Sequence, residues 1–163
     1  MNLGALQPKG QTIYVSRYQT AGEIAGAICK AINDSKASAE VLAPYFKTKN
    51  KRDTCKLIWV FLKNAVPYKR EPGHSQTAKT LPRILKDRHN GHDCKHYTIA
   101  FASLLKALNI PVKLRLISQN FYDKQPNHIY CVATINGEEV ICDSVLKNFD
   151  TEARYNYKYD IKI

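Results

Sequence analysis

The sequence predicts an α+β fold in which helices come first and an antiparallel sheet follows. Up to Leu108, apolar residues recur at three- and four-residue spacing, which is typical of amphipathic helices. From Val112 onward, apolar and polar residues alternate, which is typical of half-buried strands. A run of helices followed by a run of strands indicates the α+β class. With 163 residues, the chain is expected to form one domain over 1–163.

Two helices are predicted near the N-terminus. Thr20 and Glu23 form a capping box, and the helix that they open carries isoleucines at four-residue spacing. A second, short helix is predicted over 37–46, where Pro44 limits its length. These segments define a helical N-terminal part over 1–50.

A third helix is predicted over 54–65, with Asp53 as its N-cap. Trp59 flanks its apolar stripe and is expected to belong to the core. The segment 66–90 is rich in Pro, Gly, His and Lys, so we expect mostly loop there, with one or two helical turns over 80–86. The predicted buried stripe of the helix consists of Leu57, Ile58, Phe61 and Leu62.

A central helix is predicted over 94–108. Asn109 is a suitable C-cap, and Pro111 prevents the helix from continuing. Lys95 and His96 are expected on its solvent side. Its predicted core positions are Tyr97, Phe101, Leu104, Leu105 and Leu108.

The remaining chain predicts four strands. The first covers 112–116, and the next covers 129–135. Asn136-Gly137 is a strong hairpin signal, so a return strand is expected over 138–145. The C-terminal part, 146–163, is expected to end in a strand with one apolar face.

The hairpin register makes a geometric prediction. A two-residue turn pairs Ile135 with Glu138, and counting outward brings His128 and Asp143 onto the same face of the sheet. They are then diagonal neighbours with backbones roughly 7–8 Å apart. A slip of one residue would place them on opposite faces.

These positions suggest a chemistry. Cys94 follows a glycine-containing polar stretch and begins a helix, where the helix dipole and free N–H groups favour a thiolate. His128 is suited to take the thiol proton and return it to a leaving amine, and Asp143 to orient the imidazole. The backbone N–H of Cys94 and the side-chain amide of Gln76 are candidate donors to an oxyanion.

Each residue also has a simpler interpretation. Cys94 would be an inert surface thiol, His128 a structural residue at a strand end and Asp143 a strand-end cap. For Gln76 alone, we prefer a non-catalytic role. A zinc site is a further alternative, but zinc sites prefer two separated pairs of ligands, and no second pair is evident. We therefore expect neither a metal nor a cofactor. The four potential zinc ligands are His89, His92, Cys94 and His96.

The positive charge is concentrated in one segment. The chain has a formal net charge of +11, and the segment 47–95 contains 13 Lys or Arg against four Asp or Glu. Such a segment can bind nucleic acid or another acidic partner. A solvated basic face that aids solubility is an equal alternative. The segment lacks the interleaved aromatics of a single-strand platform.

Composition also suggests a compartment. The chain has five cysteines, and their odd number and wide spacing indicate reduced thiols. The segment 1–10 lacks a signal-peptide pattern, and no apolar run reaches the roughly 20 residues that span a bilayer. We expect a cytoplasmic protein without membrane contact.

The ordered motifs resemble the core of the transglutaminase-like superfamily. That pattern has a Cys at a helix start, a Leu-rich helix end, a His that opens a strand and an Asp that ends the next. The resemblance covers about 56–145, the predicted catalytic core. The residues that carry it are Tyr68, Gln76, Gly91-His92-Asp93-Cys94-Lys95-His96-Tyr97, Leu104 to Pro111, Asn127-His128-Ile129-Tyr130-Cys131-Val132 and Cys142-Asp143.

The resemblance implies a papain-like arrangement in which the Cys-bearing helix packs on an antiparallel sheet. It implies a Cys94–His128–Asp143 triad and, more weakly, a role for Gln76 near the oxyanion. Two positions depart from the family: Asn109 replaces the usual Gly, and His92 interrupts the usual Gly-Asp-Cys.

The resemblance also implies a function. Short members of this type resemble proteins of bacteriophages and bacteria, so the setting would be a host cytoplasm or a virion. We expect a cysteine peptidase or amidase, or an acyl transferase, that acts on a protein or peptide through an acyl-enzyme. The alternative is a non-catalytic module, for example a virion component, that uses the basic segment 47–95.

Overall fold

The structure is a computed structural model that describes residues 10–15, 20–73 and 75–163. Apart from Gly10, the segment 1–10 considered for a signal peptide lies outside the described residues. No helix within the described ranges is long and apolar enough to cross a membrane.

The described residues form helices and antiparallel sheets, which confirms the predicted α+β class. The helices are α1 (Ala21–Asp34), α2 (Lys36–Leu42), α3 (Lys51–Ala65), α4 (Leu81–Lys86) and α5 (Cys94–Ala107). The strands are β1 (Thr12–Tyr14), β2 (Thr77–Lys79), β3 (Val112–Ser118), β4 (His128–Ile135), β5 (Glu138–Cys142) and β6 (Tyr157–Lys162).

The larger sheet has the strand order β5-β4-β3-β6, and every neighbouring pair is antiparallel. β1 and β2 pair with each other to form a second, two-stranded sheet. These short strands were not predicted: β1 lies in the segment expected to be helical, and β2 lies in the segment expected to be loop. Three residues are too few to show an alternation, and the pairing joins parts of the chain that are far apart in sequence.

Local signals placed several boundaries correctly. The Thr20–Glu23 capping box at the start of α1 is present. α2 gives way to a 3₁₀ turn that contains Pro44. Asn109 has a φ of 54°, the left-handed conformation expected just after a helix.

The β4–β5 hairpin has the predicted register. Asn136 and Gly137 both have positive φ, as a type I′ turn requires, and Ile135 pairs with Glu138. The pairing runs outward to Cys131 and Cys142, one residue before Asp143. The register therefore brings the ends of β4 and β5 together, as the sequence predicts.

Two predictions for α3 are wrong. The helix begins at Lys51, and the Asn50 side chain caps it by accepting the Arg52 N–H, so Asp53 lies in the first turn rather than at the cap. Leu57 is exposed, because the face that packs on the core passes through Cys55 instead. The buried side chains of α3 are Thr54, Cys55, Ile58 and Leu62.

α5 is the central helix of the fold. The other four helices, β2 and the inner face of the large sheet all contact it, so its residues are buried on every side from Lys95 to Leu105. The expectation that Lys95 and His96 face solvent is therefore wrong: they are 3% and 0% exposed. A helix surrounded by other elements has no solvent side, and its polar residues must find partners inside the protein.

The outer face of the large sheet is covered by the segment before β6. Arg115 on β3 is buried, and its guanidinium donates hydrogen bonds to Asp160 on β6 and to Glu152 and Glu139. The Tyr130 hydroxyl donates to Glu152 at 2.8 Å. These contacts leave the opposite face of the sheet, with Leu114 and Cys131, to pack against α5.

Candidate active site

Cys94 is the first residue of α5. Asp93 precedes it at the N-cap with an extended backbone, so the first N–H groups of the helix have no intrahelical acceptor. Cys94 is half-buried and lines a cleft of about 610 Å³ that also contains His128. The N-terminus of a buried helix favours a negative charge at this position.

His128 opens β4 and contacts Asp143, which directly follows β5. The His128 Nε2 atom lies 2.7 Å from the Asp143 Oδ2 atom. Asp143 is 3% exposed, and its second oxygen, Oδ1, accepts the Val145 N–H at 3.0 Å. The carboxylate thus holds one ring nitrogen and leaves Nδ1 unengaged by Asp143, and Cys94 lines the same cleft as the ring and contributes to its pKa.

The environment favours a protonated imidazole at His128. Burial alone would lower the pKa, but the hydrogen bonds and negative charges of Asp143 and of an ionised Cys94 raise it to about 10. At neutral pH this pKa keeps the ring as an imidazolium, in contact with the Asp143 carboxylate. The structure brings together the three side chains that the sequence singled out.

α3 anchors the segment that carries Asp143. The Trp59 indole N–H donates to the Asp143 carbonyl at 2.8 Å. The Lys63 ammonium donates to the Leu146 carbonyl at 2.7 Å and lies 5.2 Å from the centroid of the Trp59 ring. Sequence reasoning expected Trp59 only to fill the core; the signal it missed is that a buried indole N–H requires an acceptor.

The chain segment that precedes Cys94 requires a glycine at position 91. Segment 67–69 pairs with the residues that follow Gly91: the Lys69 N–H donates to the His92 carbonyl, and the His92 N–H donates to the Pro67 carbonyl, both at 2.9 Å. Gly91 has a φ of 78°, and a Cβ there would lie 2.6 Å from the Lys69 Cβ. Both the conformation and the space exclude a side chain.

We expect Gly91→Ala to destabilise the protein by about 3 kcal/mol, because the cost of a positive φ and the cost of the overlap with Lys69 add together. Gly137→Ala is the control: Gly137 has a φ of 84°, but apart from its chain neighbours no described residue would lie within 4 Å of a Cβ added there. It should cost only about 1 kcal/mol. Urea unfolding measures both, and equal losses would contradict the proposed close approach.

A buried polar network lies beside Cys94. The Lys95 ammonium lies 3.1 Å from the Glu71 carboxylate and also pairs with Asp93. Glu71 in turn accepts the Thr77 backbone N–H at 2.8 Å. His96 Nδ1 lies 3.0 Å from Asp93 Oδ1, outside the geometry of a directed hydrogen bond. The network ties the loop before β2 to the start of α5.

Burial alone would raise the pKa of Asp93, but its contact with His96 and the charge of Lys95 lower it to about 2. A lowered carboxyl pKa stabilises the fold above the unfolded value of about 4, and the stabilisation is lost as the pH falls toward 2. The network therefore contributes its full stability at neutral pH.

We expect Lys95→Met to destabilise the protein by about 3–5 kcal/mol, because it leaves the buried Asp93 carboxylate and the half-buried Glu71 carboxylate without their cation. Lys30→Met is the control, since the Lys30–Asp34 pair is largely exposed; it should cost about 0.5 kcal/mol or less. Thermal and urea unfolding at pH 7 measure the difference. A loss for Lys95→Met no larger than the control would show that the network carries little stability.

Gln76 lines the same cleft as Cys94. Its amide donates to the Pro72 carbonyl at 3.0 Å and, more distantly, to the Glu71 carbonyl at 3.5 Å. The side chain thus reaches the cleft, but its N–H groups are directed at the loop. Tyr68 lines the cleft as well, and its ring stacks on that of Tyr97 at 6.4 Å.

The histidines considered as zinc ligands differ in their exposure to solvent. His89 is exposed, whereas His92 and His96 are buried with ring centroids 4.9 Å apart. Burial and the nearby His96 lower the pKa of His92 to about 4. Among the residues that the structure describes, no group of three His, Cys, Asp or Glu side chains is arranged to hold a metal ion.

The Lys and Arg residues of the basic segment 47–95 lie on several elements: α3 and the chain on either side of it, β2, α4, the turn after α4 and the start of α5. Five of them make intramolecular contacts with carboxylates or backbone carbonyls: Arg52, Lys63, Arg83, Arg88 and Lys95.

No protein-family model and no curated protein matches this sequence. Its fold resembles that of a "putative protease" of Parabacteroides distasonis ATCC 8503, with a TM-score of 0.58 and 14% identity over 77% of the chain. It also resembles a "putative cysteine protease" of Cytophaga hutchinsonii, with a TM-score of 0.53 and 17% identity over 83% of the chain. The chain spans 27% and 48% of those two proteins.

At these identities the likeness concerns the fold. The protein is therefore an α+β protein whose architecture is shared with structures that are named as proteases. What it catalyses has to be argued from its own residues.

Proposed function

We propose that the protein is a cysteine peptidase or amidase with a papain-like arrangement of the transglutaminase-like type. The observation that carries the proposal is the contact of His128 with Asp143 at 2.7 Å, beside a cysteine that begins a buried helix. An imidazolium and a helix N-terminus together favour a thiolate. The fold neighbours that are named as proteases support the same class.

In this proposal the Cys94 sulfur attacks the carbonyl carbon of an amide, and the carbonyl oxygen becomes negatively charged. The Cys94 N–H donates to that oxygen, and Gln76 joins it if its amide turns from the loop carbonyls. His128 gives its proton to the leaving amine, and the carbon–nitrogen bond breaks to leave a thioester. Asp143 holds the ring throughout.

The thioester is then attacked by water or by an amine. His128 removes a proton from the acceptor, and the sulfur leaves as a thiolate. Hydrolysis and transfer use the same residues and differ only in the acceptor. We place this chemistry in a catalytic core over 56–145, with the rest of a single domain packed around it.

The test is to incubate the protein with a peptide library and to look by mass spectrometry for new amines and for an acyl adduct on the Cys94 peptide. Added primary amines should capture the acyl group if transfer competes with hydrolysis. Absence of both products would contradict the proposal. Salt-dependent DNA or RNA binding that is lost on joint substitution of Lys49, Lys51 and Arg52 would then favour the binding module.

A further inference from the structure

The charged side chains that line the cleft are almost all paired. Glu71 and Asp93 both contact Lys95, and His128 contacts Asp143. Among the described residues that line the cleft, Arg70 is the one charged side chain without an ion-pair partner. Arg70 is thus a cation in the cleft that no carboxylate of the described residues engages.

Arg70 is exposed, but its backbone is held in place. The next residue, Glu71, is fixed by the Thr77 N–H and hydroxyl and by the buried Lys95 ammonium. Arg70 therefore extends from a fixed point on the rim of the cleft rather than from a free loop. A side chain placed in this way can select among ligands.

Arg70 and Cys94 line the same cleft. The charges of both residues act on Tyr68. Burial and the negative charge of Cys94 raise the pKa of its phenol, and the positive charge of Arg70 lowers it. A substrate bound in this cleft can therefore present one group to the guanidinium and its carbonyl to the sulfur.

The remaining lining is mixed, with apolar residues beside Gln76, Gln119 and Asn127, and both lining carboxylates, Glu71 and Asp93, contact Lys95. The apolar lining residues are Ala21, Ile24, Leu116, Ile129, Val145 and Leu146. The site thus offers one unpaired cationic contact within a cleft of mixed polar and apolar lining. A guanidinium binds a carboxylate through two parallel hydrogen bonds, which gives direction as well as charge.

We infer that Arg70 selects substrates that carry a carboxylate next to the scissile amide, so that the substrate class is an acidic peptide. The inference rests on the proposed function of Cys94 and deepens it. The carboxylate can belong to an acidic side chain or to the C-terminus of the peptide.

Iodoacetate and iodoacetamide test this without a known substrate. Both alkylate a thiolate and release iodide, but only iodoacetate carries a carboxylate. We expect Arg70→Gln to lower the rate of Cys94 alkylation by iodoacetate about tenfold, the loss of one charged hydrogen-bonded contact. The rate with iodoacetamide should stay within about twofold, because that reagent does not engage a guanidinium.

Lys69→Gln is the control, because it removes the same charge from an exposed neighbour that does not line the cleft. An equal loss of the iodoacetate rate in both variants would show only a general field effect and overturn the inference. Slow iodoacetamide alkylation in the parent protein, unchanged by His128→Ala, would overturn the proposed function and the inference with it. Fast alkylation with an iodoacetate rate independent of Arg70 would overturn the inference alone.

Peptide substrates separate the two sources of the carboxylate. One series varies the residue beside the scissile amide between Glu and Gln, and the other compares free and amidated C-termini. A preference for the carboxylate in either series that Arg70→Gln removes supports the inference and identifies the source. Equal turnover of acidic and neutral peptides in both series overturns it.

Discussion

Replacing His128 with Ala is expected to slow the alkylation of Cys94 by iodoacetamide about a hundredfold at pH 6. The raised pKa of His128, about 10, keeps an imidazolium beside the sulfur throughout the neutral range. Without that cation the thiol should behave like an ordinary cysteine, of which only about 0.3% is ionised at pH 6. The rate is read from the modified Cys94 peptide by mass spectrometry between pH 5 and 9.

Two further variants make this measurement specific. His89→Ala removes an exposed histidine that does not line the cleft, and it should leave the rate unchanged. His128→Gln keeps a donor for the buried Asp143 carboxylate, so the fold should survive while the proton acceptor is lost. If the parent and all variants react slowly with the same pH profile, Cys94 and His128 do not act as a pair.

Replacing Cys94 with Ala is expected to abolish amide turnover, a loss of at least about 10⁴-fold, because no other group in the proposal forms the acyl-enzyme. Cys94 is only half-buried, so the free energy of unfolding should change little. Turnover on the peptides found with the parent protein measures the first effect, and urea unfolding measures the second.

Cys29→Ala is the control for the Cys94 substitution. Cys29 is another half-buried thiol, but it lies on α1 and does not line the cleft, so its loss should leave turnover unchanged. Cys94→Ala should also lower the pKa of His128, measured by its imidazole NMR signals, because the negative sulfur is gone. Full turnover without Cys94 would exclude it as the nucleophile.

The sequence predicted the parts of the candidate site that depend on local rules. A capping box, a positive-φ Asn after α5 and an Asn-Gly turn fix where elements begin, end and reverse. Because side chains alternate along a strand, the turn alone was enough to bring His128 and Asp143 together. The placement of Cys94 at a helix start followed from the apolar periodicity behind it.

The sequence could not predict the groups that support these residues. Trp59 donates to the Asp143 carbonyl from 84 positions away, and Lys95 pairs with Glu71 from 24 positions away. The periodicity of apolar residues shows which face of a helix is apolar, but it does not show which other elements pack against the polar residues at the end of the helix. For that reason Lys95 and His96 were expected in solvent and are in fact buried.

Sequence by itself therefore determined the α+β class, the hairpin register that joins His128 to Asp143 and the place of Cys94 at a helix start, because each depends on local patterns. Only the tertiary structure decided that α5 is enclosed, that a buried ion network lies beside Cys94 and that Arg70 is left unpaired at the cleft. Those features depend on charges and carbonyls brought together by packing. The cost of burying an unpaired polar group then selects the partners.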